Sequence, residues 1–254
     1  LDLIILKIEI HLREYFCKAR TTGIKSVEVK CKNGCENGKC IIYHSGDFNK
    51  NKKIDLNELT RIISFYNSPK GYSCNVGKTE DNYNIIGIHY PGHNDSIILL
   101  HQLGKSKESW TNFAEHLQAH DYDVLAIDLR GHGESSGNLA EFDEQDFNNM
   151  ELDIKAAKEY LNKKKLAIIG ASIGANLALN YAIKDETVKA IVMLSPGLNY
   201  RGINITVNAQ NYDRNSLIIV SQEDKYSYDI SILLMKLLKG NKQLEVYNNI
   251  GHGT

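Results

Sequence analysis

From about residue 83 onward, short apolar runs alternate with longer segments in which apolar residues recur at helical spacing. The apolar runs predict strands at 85–90, 96–101, 123–128, 166–169, 188–194, 216–220 and 243–247. The longer segments predict helices at 109–119, 146–161, 173–183 and 228–238. Wholly apolar strands that alternate with helices are typical of a parallel sheet covered on both faces, so we predict an α/β fold with a mostly parallel, doubly wound sheet. The segment 91–95, which contains proline and glycine, predicts a hairpin turn between the first two strands.

The N-terminal third of the chain has a different character. Residues 1–82 form a short, irregular segment rich in Lys, Asn and Gly, and residues 83–254 form the α/β domain. The segment holds all five cysteines, at positions 17, 31, 35, 40 and 74. Their spacing does not fit the paired C-x2-C of zinc sites, so disulfide bonds with one thiol left over are one interpretation and reduced thiols the other. The first interpretation predicts a secreted or extracytoplasmic protein; a cytoplasmic location is the alternative.

Composition narrows the class of protein further. The chain has 30 Lys and Arg residues against 31 Asp and Glu, which gives a formal net charge of −1. Without a positive field to attract phosphates, a nucleic acid is not an expected partner. The longest uncharged stretch, 166–183, contains two glycines, a serine and two asparagines, and is too polar for a membrane span. We interpret it as a buried strand followed by a buried helix.

The segment Gly170-Ala171-Ser172-Ile173-Gly174 lies between a predicted strand and a predicted helix. In this context the pattern G-x-S-x-G is typical of a nucleophile elbow, which holds a serine hydroxyl above the sheet on a strained turn. The flanking glycines remove side chains that would clash where strand and helix approach, and the helix N-terminus favours developing negative charge. The alternative is that Ser172 is an ordinary N-cap of the helix.

Asp224 and His252 each follow a predicted strand, and together with Ser172 they form a candidate catalytic triad. Because the carboxyl ends of parallel strands meet at one edge of a sheet, we expect the three side chains to lie together. His252 would accept the proton of Ser172, and Asp224 would fix the tautomer of the imidazole. Three alternatives stay open: Glu223 is a rival acid, Asp224 could cap the following helix, and His252 could be an unengaged loop histidine.

Taken together, the motifs resemble the α/β-hydrolase superfamily over residues 83–254. Besides the elbow and the triad segments, two loops carry the resemblance. Leu99-Leu100-His101-Gln102-Leu103-Gly104, with Ser106 and Trp110, is similar to the oxyanion loop L-H-G-x-G-x-S-x-x-x-W. Asp128-Leu129-Arg130-Gly131-His132-Gly133-Glu134-Ser135 is similar to the D-x-R-G-H-G-x-S loop of the esterase, monoacylglycerol-lipase and serine-aminopeptidase branches.

The resemblance implies an oxyanion hole built from the backbone N–H groups of Leu103 and Ile173, and no cofactor for catalysis. It also implies structural roles for His101 and His132. Gln102 stands where the family has glycine, and it would strain the hole if that position needed a positive φ. Members of the family continue with a final helix after the histidine, so we expect the domain to be truncated after His252.

We therefore predict a serine hydrolase that cleaves a small or soluble carboxylic ester through an acyl-Ser172 intermediate. Residues 195–215 are too few for the multi-helix lid of lipases, which predicts an open site. One alternative is a serine peptidase of the same fold. The other is a calcium-dependent binding or anchoring protein whose hydrolase site is degenerate and whose N-terminal segment docks to a partner.

Residues 47–58 resemble a twelve-residue EF-hand loop of the single, dockerin-like kind. The oxygen ligands for Ca²⁺ would come from Asp47, Asn49, Asn51, the carbonyl of Lys53, Asp55 and Glu58. Lys52 occupies the position at which glycine normally makes the sharp turn, and nearby lysines offset the carboxylates. We predict weak Ca²⁺ binding suited to extracellular calcium; the alternative is a solvated Asn/Lys loop that caps a helix.

Overall fold

The computed structural model describes residues 71–163 and 165–253, together with the backbone of four short strands in the first 70 residues. Of these four strands, β1 (Tyr15–Ala19) pairs antiparallel with β2 (Val27–Cys31), and β3 (Cys35–Glu36) pairs antiparallel with β4 (Lys39–Cys40). Leu1–Pro69 and Lys70–Thr254 are separate compact units. The candidate calcium loop at 47–58 lies outside the described residues.

The second unit is built on one large sheet. In chain order its strands are β5 (Tyr72–Lys78), β6 (Asn84–Tyr90), β7 (Ser96–Leu100), β8 (Asp123–Ile127), β9 (Leu166–Ala171), β10 (Val188–Leu194), β11 (Asn199–Tyr200), β12 (Ile203–Asn204), β13 (Asn215–Ser221) and β14 (Lys242–Tyr247). Strands β11 and β12 form a small separate hairpin, and the other eight pair in the order β14-β13-β10-β9-β7-β8-β6-β5. Strand β6 is antiparallel to both its neighbours, and the remaining six strands from β7 onward in this sheet, β8, β7, β9, β10, β13 and β14, are parallel.

Helices cover both faces of this sheet. They are α1 (Thr111–Ala119), α2 (Glu144–Asn148), α3 (Glu151–Leu161), α4 (Ile173–Lys184), α5 (Thr206–Ala209) and α6 (Lys225–Leu237). Alternate residues of the central strands point to opposite sides. In β7, Ile98 and Leu100 join the core under α3 and α4, whereas Ile97 and Leu99 face the other side. The predicted fold class, a mostly parallel and doubly wound α/β sheet, is confirmed.

The apolar runs chosen as strands are buried because they lie in the middle of the sheet. All residues of β7, β8 and β9 are buried. The edge strand β14 is only half-buried, and it mixes polar and apolar residues. Burial on two faces thus explains why continuous apolar runs, rather than alternating ones, mark the central parallel strands.

Three details differ from the sequence prediction. The turn at 91–95 does not make a hairpin, because β8 lies between β6 and β7 and pairs with both. The helix predicted at 146–161 is divided into α2 and α3, since the capping box of Asp143 starts a short helix that ends at the asparagine pair Asn148 and Asn149. The sheet also includes β5, which lies before the boundary near residue 83 from which strands were predicted.

The chain path defines where a ligand can approach. After β8 at one side of β7, the chain crosses to β9 at the other side, so the strand order reverses between β7 and β9. In open α/β sheets, ligands bind at the carboxyl ends of the strands beside such a reversal. The loops that follow β7, β9, β10, β13 and β14 are therefore the candidates for a functional site.

Candidate active site

Ser172 occupies the strained turn that the G-x-S-x-G pattern predicts. Its backbone has φ 54° and ψ −115°, and its side chain makes no capping hydrogen bond to α4. A Cβ on Gly170 would lie 2.1 Å from the carbonyl oxygen of Gly174, and a Cβ on Gly174 would lie 2.6 Å from the carbonyl oxygen of Leu100. Both glycines are therefore required for close approach, and Ser172 occupies the N-cap position of α4 without capping the helix through its side chain.

The structure brings Ser172 and His252 into direct contact. His252 Nε2 lies 2.8 Å from Ser172 Oγ, although the residues are 80 positions apart in the chain. Ser172 is buried to all but 7% of its surface, whereas 40% of the His252 side chain is exposed. The imidazole thus lies between a buried hydroxyl and solvent, which is the position that a base needs in order to pass a proton to a departing group.

Asp224, and not Glu223, is the acid that contacts the histidine. Asp224 Oδ2 lies 2.6 Å from His252 Nδ1, and its Oδ1 accepts a hydrogen bond from the backbone N–H of Ser227. Asp224 therefore caps α6 and orients the imidazole at the same time. Burial alone would raise the pKa of Asp224, but the hydrogen bonds from His252 and Ser227 hold it below its usual value.

Glu223 has a different role beside the triad. Its Oε2 accepts hydrogen bonds from Ser221 Oγ (2.7 Å) and from the backbone N–H of Asn249 (2.8 Å). These two hydrogen bonds lower the pKa of Glu223. Because Asn249 lies in the loop that leads to His252, Glu223 anchors this loop to the end of β13 without touching the histidine.

The two predicted oxyanion donors belong to the segments that follow β9 and β7. Ile173 is the first residue of α4, so its N–H has no intrahelical acceptor. Leu103 lies in a turn closed by the Gln102 carbonyl, which accepts hydrogen bonds from Lys105 N–H (3.1 Å) and His101 Nδ1 (2.8 Å). Within the described residues, no hydrogen bond engages the N–H of Leu103. Both groups are consequently available to a bound oxygen.

Gln102 does not strain this loop. The residues with positive φ do not include Gln102, and in this turn the positive φ falls on Gly104 (73°). The Gln102 side chain instead reaches toward the histidine loop, because a Cβ on Gly253 would lie 2.8 Å from Gln102 Oε1. Gln102, in the place of a glycine, therefore adds a polar side chain next to the His252 loop without requiring a positive φ.

The loop at 128–135 is joined to the loop that carries Leu103 by a hydrogen bond to His101. His101 Nε2 accepts the backbone N–H of Leu129 (3.0 Å), so Nδ1 carries the proton of the neutral ring. Burial lowers the pKa of His101 to about 4, which keeps this ring neutral. Arg130 is fully buried and its Nε donates to Asp153 Oδ1 (2.8 Å). Burial raises the pKa of Asp153 to about 6, although Arg130 favours its charged form.

The segment between β10 and β13 contains no multi-helix lid. It holds only the β11/β12 hairpin and the single turn α5. Tyr200 of this hairpin packs against the triad, with its ring centroid 6.3 Å from that of His252 and an interplanar angle of 86°. The Tyr200 ring fits because Gly197 has no side chain; a Cβ there would lie 2.4 Å from Tyr200 Cζ.

Sequence reasoning missed two residues at this edge, Ser195 and Tyr200. Ser195 is the residue that directly follows β10, and its Oγ accepts the backbone N–H of Gly253 (3.0 Å). The rule that selected Asp224 and His252, a polar residue at the carboxyl end of a parallel strand, applies equally to Ser195. The sequence Ser195-Pro196-Gly197, directly after the predicted strand 188–194, could therefore have indicated Ser195 as a candidate.

Comparisons with known proteins agree with this architecture. A family model described as alpha/beta hydrolase fold matches residues 95–207. The chain is 26% identical over 123 residues to (E)-2-((N-methylformamido)methylene)succinate hydrolase of Acinetobacter baylyi, covering 47% of this chain and 45% of that protein. It is 26% identical over 117 residues to monoacylglycerol lipase abhd6-B of Xenopus laevis, covering 43% and 33%. A solved esterase structure from Pyrococcus furiosus superposes with a TM-score of 0.58 at 20% identity, covering 70% of this chain and 81% of that one.

The family-model match and the structural neighbours show that the protein has the α/β-hydrolase fold. The chain spans less than half of the length of the curated relatives it matches. Over the part of the chain that the structure describes, no helix is long and apolar enough to cross a membrane. In the same residues, no group of three or more His, Cys, Asp or Glu side chains is placed to hold a metal ion.

Proposed function

We propose that the protein is a serine hydrolase that cleaves a small or soluble carboxylic ester through an acyl-Ser172 intermediate. The observation that carries the proposal is the continuous line of contacts from Ser172 Oγ to His252 Nε2 and from His252 Nδ1 to Asp224 Oδ2. A serine on a strained turn, in contact with a histidine that a carboxylate orients in turn, is the arrangement that activates a nucleophile. The hydrolase names of the relatives agree with a hydrolase, and the ester is our inference from the site.

The mechanism follows from the roles that these contacts permit. Ser172 Oγ attacks the ester carbonyl carbon while its proton moves to His252 Nε2, and Asp224 stabilises the imidazolium that forms. The N–H groups of Ile173 and Leu103 bind the negative oxygen of the tetrahedral intermediate; each such donor is worth on the order of 10²–10³ in rate. His252 then returns the proton to the leaving alcohol as the bond from the carbonyl carbon to the alcohol oxygen breaks. In the second half, water attacks the acyl carbon while His252 Nε2 takes its proton, and that proton passes to Ser172 Oγ as the carboxylic acid leaves.

The substrate class is inferred from what surrounds the nucleophile. The segment after β10 supplies one hairpin and one helical turn, so this segment forms no lid over a long acyl chain. The 40% exposure of the His252 side chain is consistent with a site open to water and to short, soluble esters.

A chain-length series of p-nitrophenyl esters tests the proposal. We expect hydrolysis that is fastest for short acyl chains and that falls by on the order of 10⁴-fold or more in Ser172→Ala. Ser216→Ala, a buried serine at the opposite end of the sheet, is the matched control and should keep wild-type activity. Faster turnover of long-chain emulsions, or activity that survives in Ser172→Ala, would contradict the proposal.

Adding aminoacyl p-nitroanilides to the ester series separates the alternative functions. A serine peptidase would cleave these anilides at rates that rival those for the esters, because the triad can act on either bond. A folded wild-type chain that cleaves neither class would favour the calcium-dependent binding protein. The pattern Asp47 to Glu58 supports Ca²⁺ binding in that case, and calorimetry at millimolar Ca²⁺ should then give heat that disappears in Glu58→Gln.

A further inference from the structure

Ser195 connects the end of β10 to the loop that carries His252. It is 3% exposed, and its Oγ accepts the backbone N–H of Gly253 at 3.0 Å. Gly253 directly follows His252, so this hydrogen bond fixes the chain one residue beyond the imidazole. The contact joins residues 58 positions apart, and it is therefore a tertiary contact and not a feature of one local turn.

Leu194, the last residue of β10 and the one before Ser195, binds the backbone of the nucleophile. The carbonyl oxygen of Leu194 accepts the backbone N–H of Ser172 at 2.8 Å. Two successive residues at the end of β10 thus bind the backbone of the nucleophile and the backbone beside the base. Because β10 lies inside the sheet, between β13 and β9, the nucleophile and the His252 loop are both held by one rigid element.

The backbone of Ser195 makes a second set of contacts. Its carbonyl oxygen accepts hydrogen bonds from the Tyr200 hydroxyl (3.3 Å) and from Ser227 Oγ (3.4 Å). Tyr200 packs edge-to-face against His252, and the N–H of Ser227 is capped by Asp224. Ser195 therefore contacts the supports of both the base and the acid, although it touches neither of them directly.

The conformation of Ser195 is unusual for its residue type. Its φ of 48° lies in the left-handed region, where non-glycine residues are uncommon. Such outliers persist where the surrounding contacts determine them, and they cluster at functional sites. In this left-handed conformation, Ser195 N–H donates a hydrogen bond to the Ile219 carbonyl, and Ser195 Oγ accepts one from the His252 loop.

We propose that Ser195 is a positioning residue of the hydrolytic site, which holds the His252 loop through Oγ so that His252 Nε2 stays within hydrogen-bonding distance of Ser172. For its effect on turnover this inference rests on the proposed function. Ser195 is 3% exposed and so offers almost no surface to a substrate. Its loss should lower kcat and leave KM unchanged, because only the alignment of the base is altered.

Two substitutions separate the hydroxyl from the backbone conformation. Ser195→Ala removes Oγ, and Ser195→Gly removes Oγ while favouring the left-handed turn. We expect kcat for a p-nitrophenyl ester to fall about 10- to 100-fold in both, as displacement of a reacting group by on the order of 1 Å can produce. The control Ser216→Ala removes a buried hydroxyl that has no hydrogen-bond partner in the described residues, and it should retain wild-type kcat.

A proton resonance of His252 gives a readout that does not depend on activity. The 2.6 Å contact between His252 Nδ1 and Asp224 Oδ2 should produce a far-downfield ¹H signal, assigned by its loss in His252→Ala. In both Ser195 variants we expect this signal to broaden or vanish while circular dichroism stays that of folded protein. A general loss of stability would not remove one resonance from a folded spectrum.

Each outcome decides the matter. An unchanged resonance with wild-type kcat in folded Ser195→Ala would overturn the inference, as would recovery of kcat in Ser195→Gly, which would assign the effect to the backbone. If the wild-type chain hydrolyses no ester, the proposed function fails. The resonance comparison would then still show whether Ser195 holds the histidine.

Discussion

Replacing Asp224 by Asn should remove most of the hydrolytic activity while leaving the fold intact. The carboxylate lies 2.6 Å from His252 Nδ1, and its side chain is only 13% exposed. With charge centres about 4 Å apart and an effective dielectric constant of about 20, its attraction for the imidazolium is about 4 kcal/mol, and the partly exposed imidazole makes this an upper value. Since each 1.4 kcal/mol is about tenfold, the charge alone accounts for a factor of up to about 10³ in kcat.

Loss of the correct tautomer adds to this factor. An asparagine amide could donate to Nδ1 and so place the proton on Nε2, where it would oppose proton transfer from Ser172. We therefore expect kcat to fall by on the order of 10³–10⁴-fold. The asparagine oxygen can still cap Ser227, so the thermal midpoint should change little.

The adjacent acid provides the matched control. Glu223→Gln keeps an oxygen that can accept the N–H of Asn249, and it leaves the contact of Asp224 with His252 in place. Its kcat should fall less than about tenfold, since the contact between His252 and Asp224 still holds the His252 loop. Initial rates with p-nitrophenyl acetate and melting curves for the two variants make the comparison. Equal losses in both variants, or a folded Asp224→Asn that retains a tenth of wild-type kcat, would refute the reasoning.

Three further predictions concern the framework of the site. Gly174→Ala should destabilise the protein by about 1–3 kcal/mol and abolish turnover, because the added Cβ meets backbone 2.6 Å away; equal stability in chemical denaturation would count against the elbow geometry. Asp153→Asn should cost about 1–3 kcal/mol of unfolding free energy, because it removes one of the two carboxylates that pair with the buried Arg130 and leaves the other, Asp81; an unchanged melting point would contradict this. Hydrogen bonds, led by that from Lys158, overcome burial and lower the pKa of Asp185 to about 2. The stability that Asp185 contributes is therefore present above pH 4 and is lost as the pH falls toward 2, and Asp185→Asn should flatten that part of the acid-unfolding curve.

Much of the architecture could be predicted because the buried parallel strands leave a direct trace in the sequence. Strands β7 to β10 are apolar on both faces, and their bounds differ from the predicted ones by no more than two residues. The elbow was equally accessible, since Gly170 and Gly174 mark places where a Cβ cannot fit. These features depend on local sterics and on burial, which the residue types record.

The features that escaped prediction depend on pairing between distant residues. The sequence at 91–95 is compatible with a hairpin, and only the insertion of β8 between β6 and β7 excludes it. Strand β5 contains Ser73 and Asn75 and is exposed at alternate positions, so it resembles the polar segment before it. The choice between Asp224 and Glu223 was open because both follow the same strand, and only the path of the His252 loop distinguishes them.

The role of Gln102 shows how one substitution in a motif can mislead. A residue in place of glycine raised the expectation of strain, yet the turn puts its positive φ at Gly104 instead. The conformation of a loop follows from all of its hydrogen bonds. Here those of His101 and Lys105 to the Gln102 carbonyl fix the turn.

Reaction with a fluorophosphonate probe tests the central claim most directly. The account predicts that the folded wild-type chain gains the mass of one phosphonyl group, that peptide mapping places it on Ser172, and that Ser172→Ala gains none. The probe requires an activated serine and an oxyanion site but no knowledge of the substrate. A folded wild-type chain that is not labelled, or a label on another serine, would contradict the assignment of Ser172, His252 and Asp224 as a working hydrolytic triad.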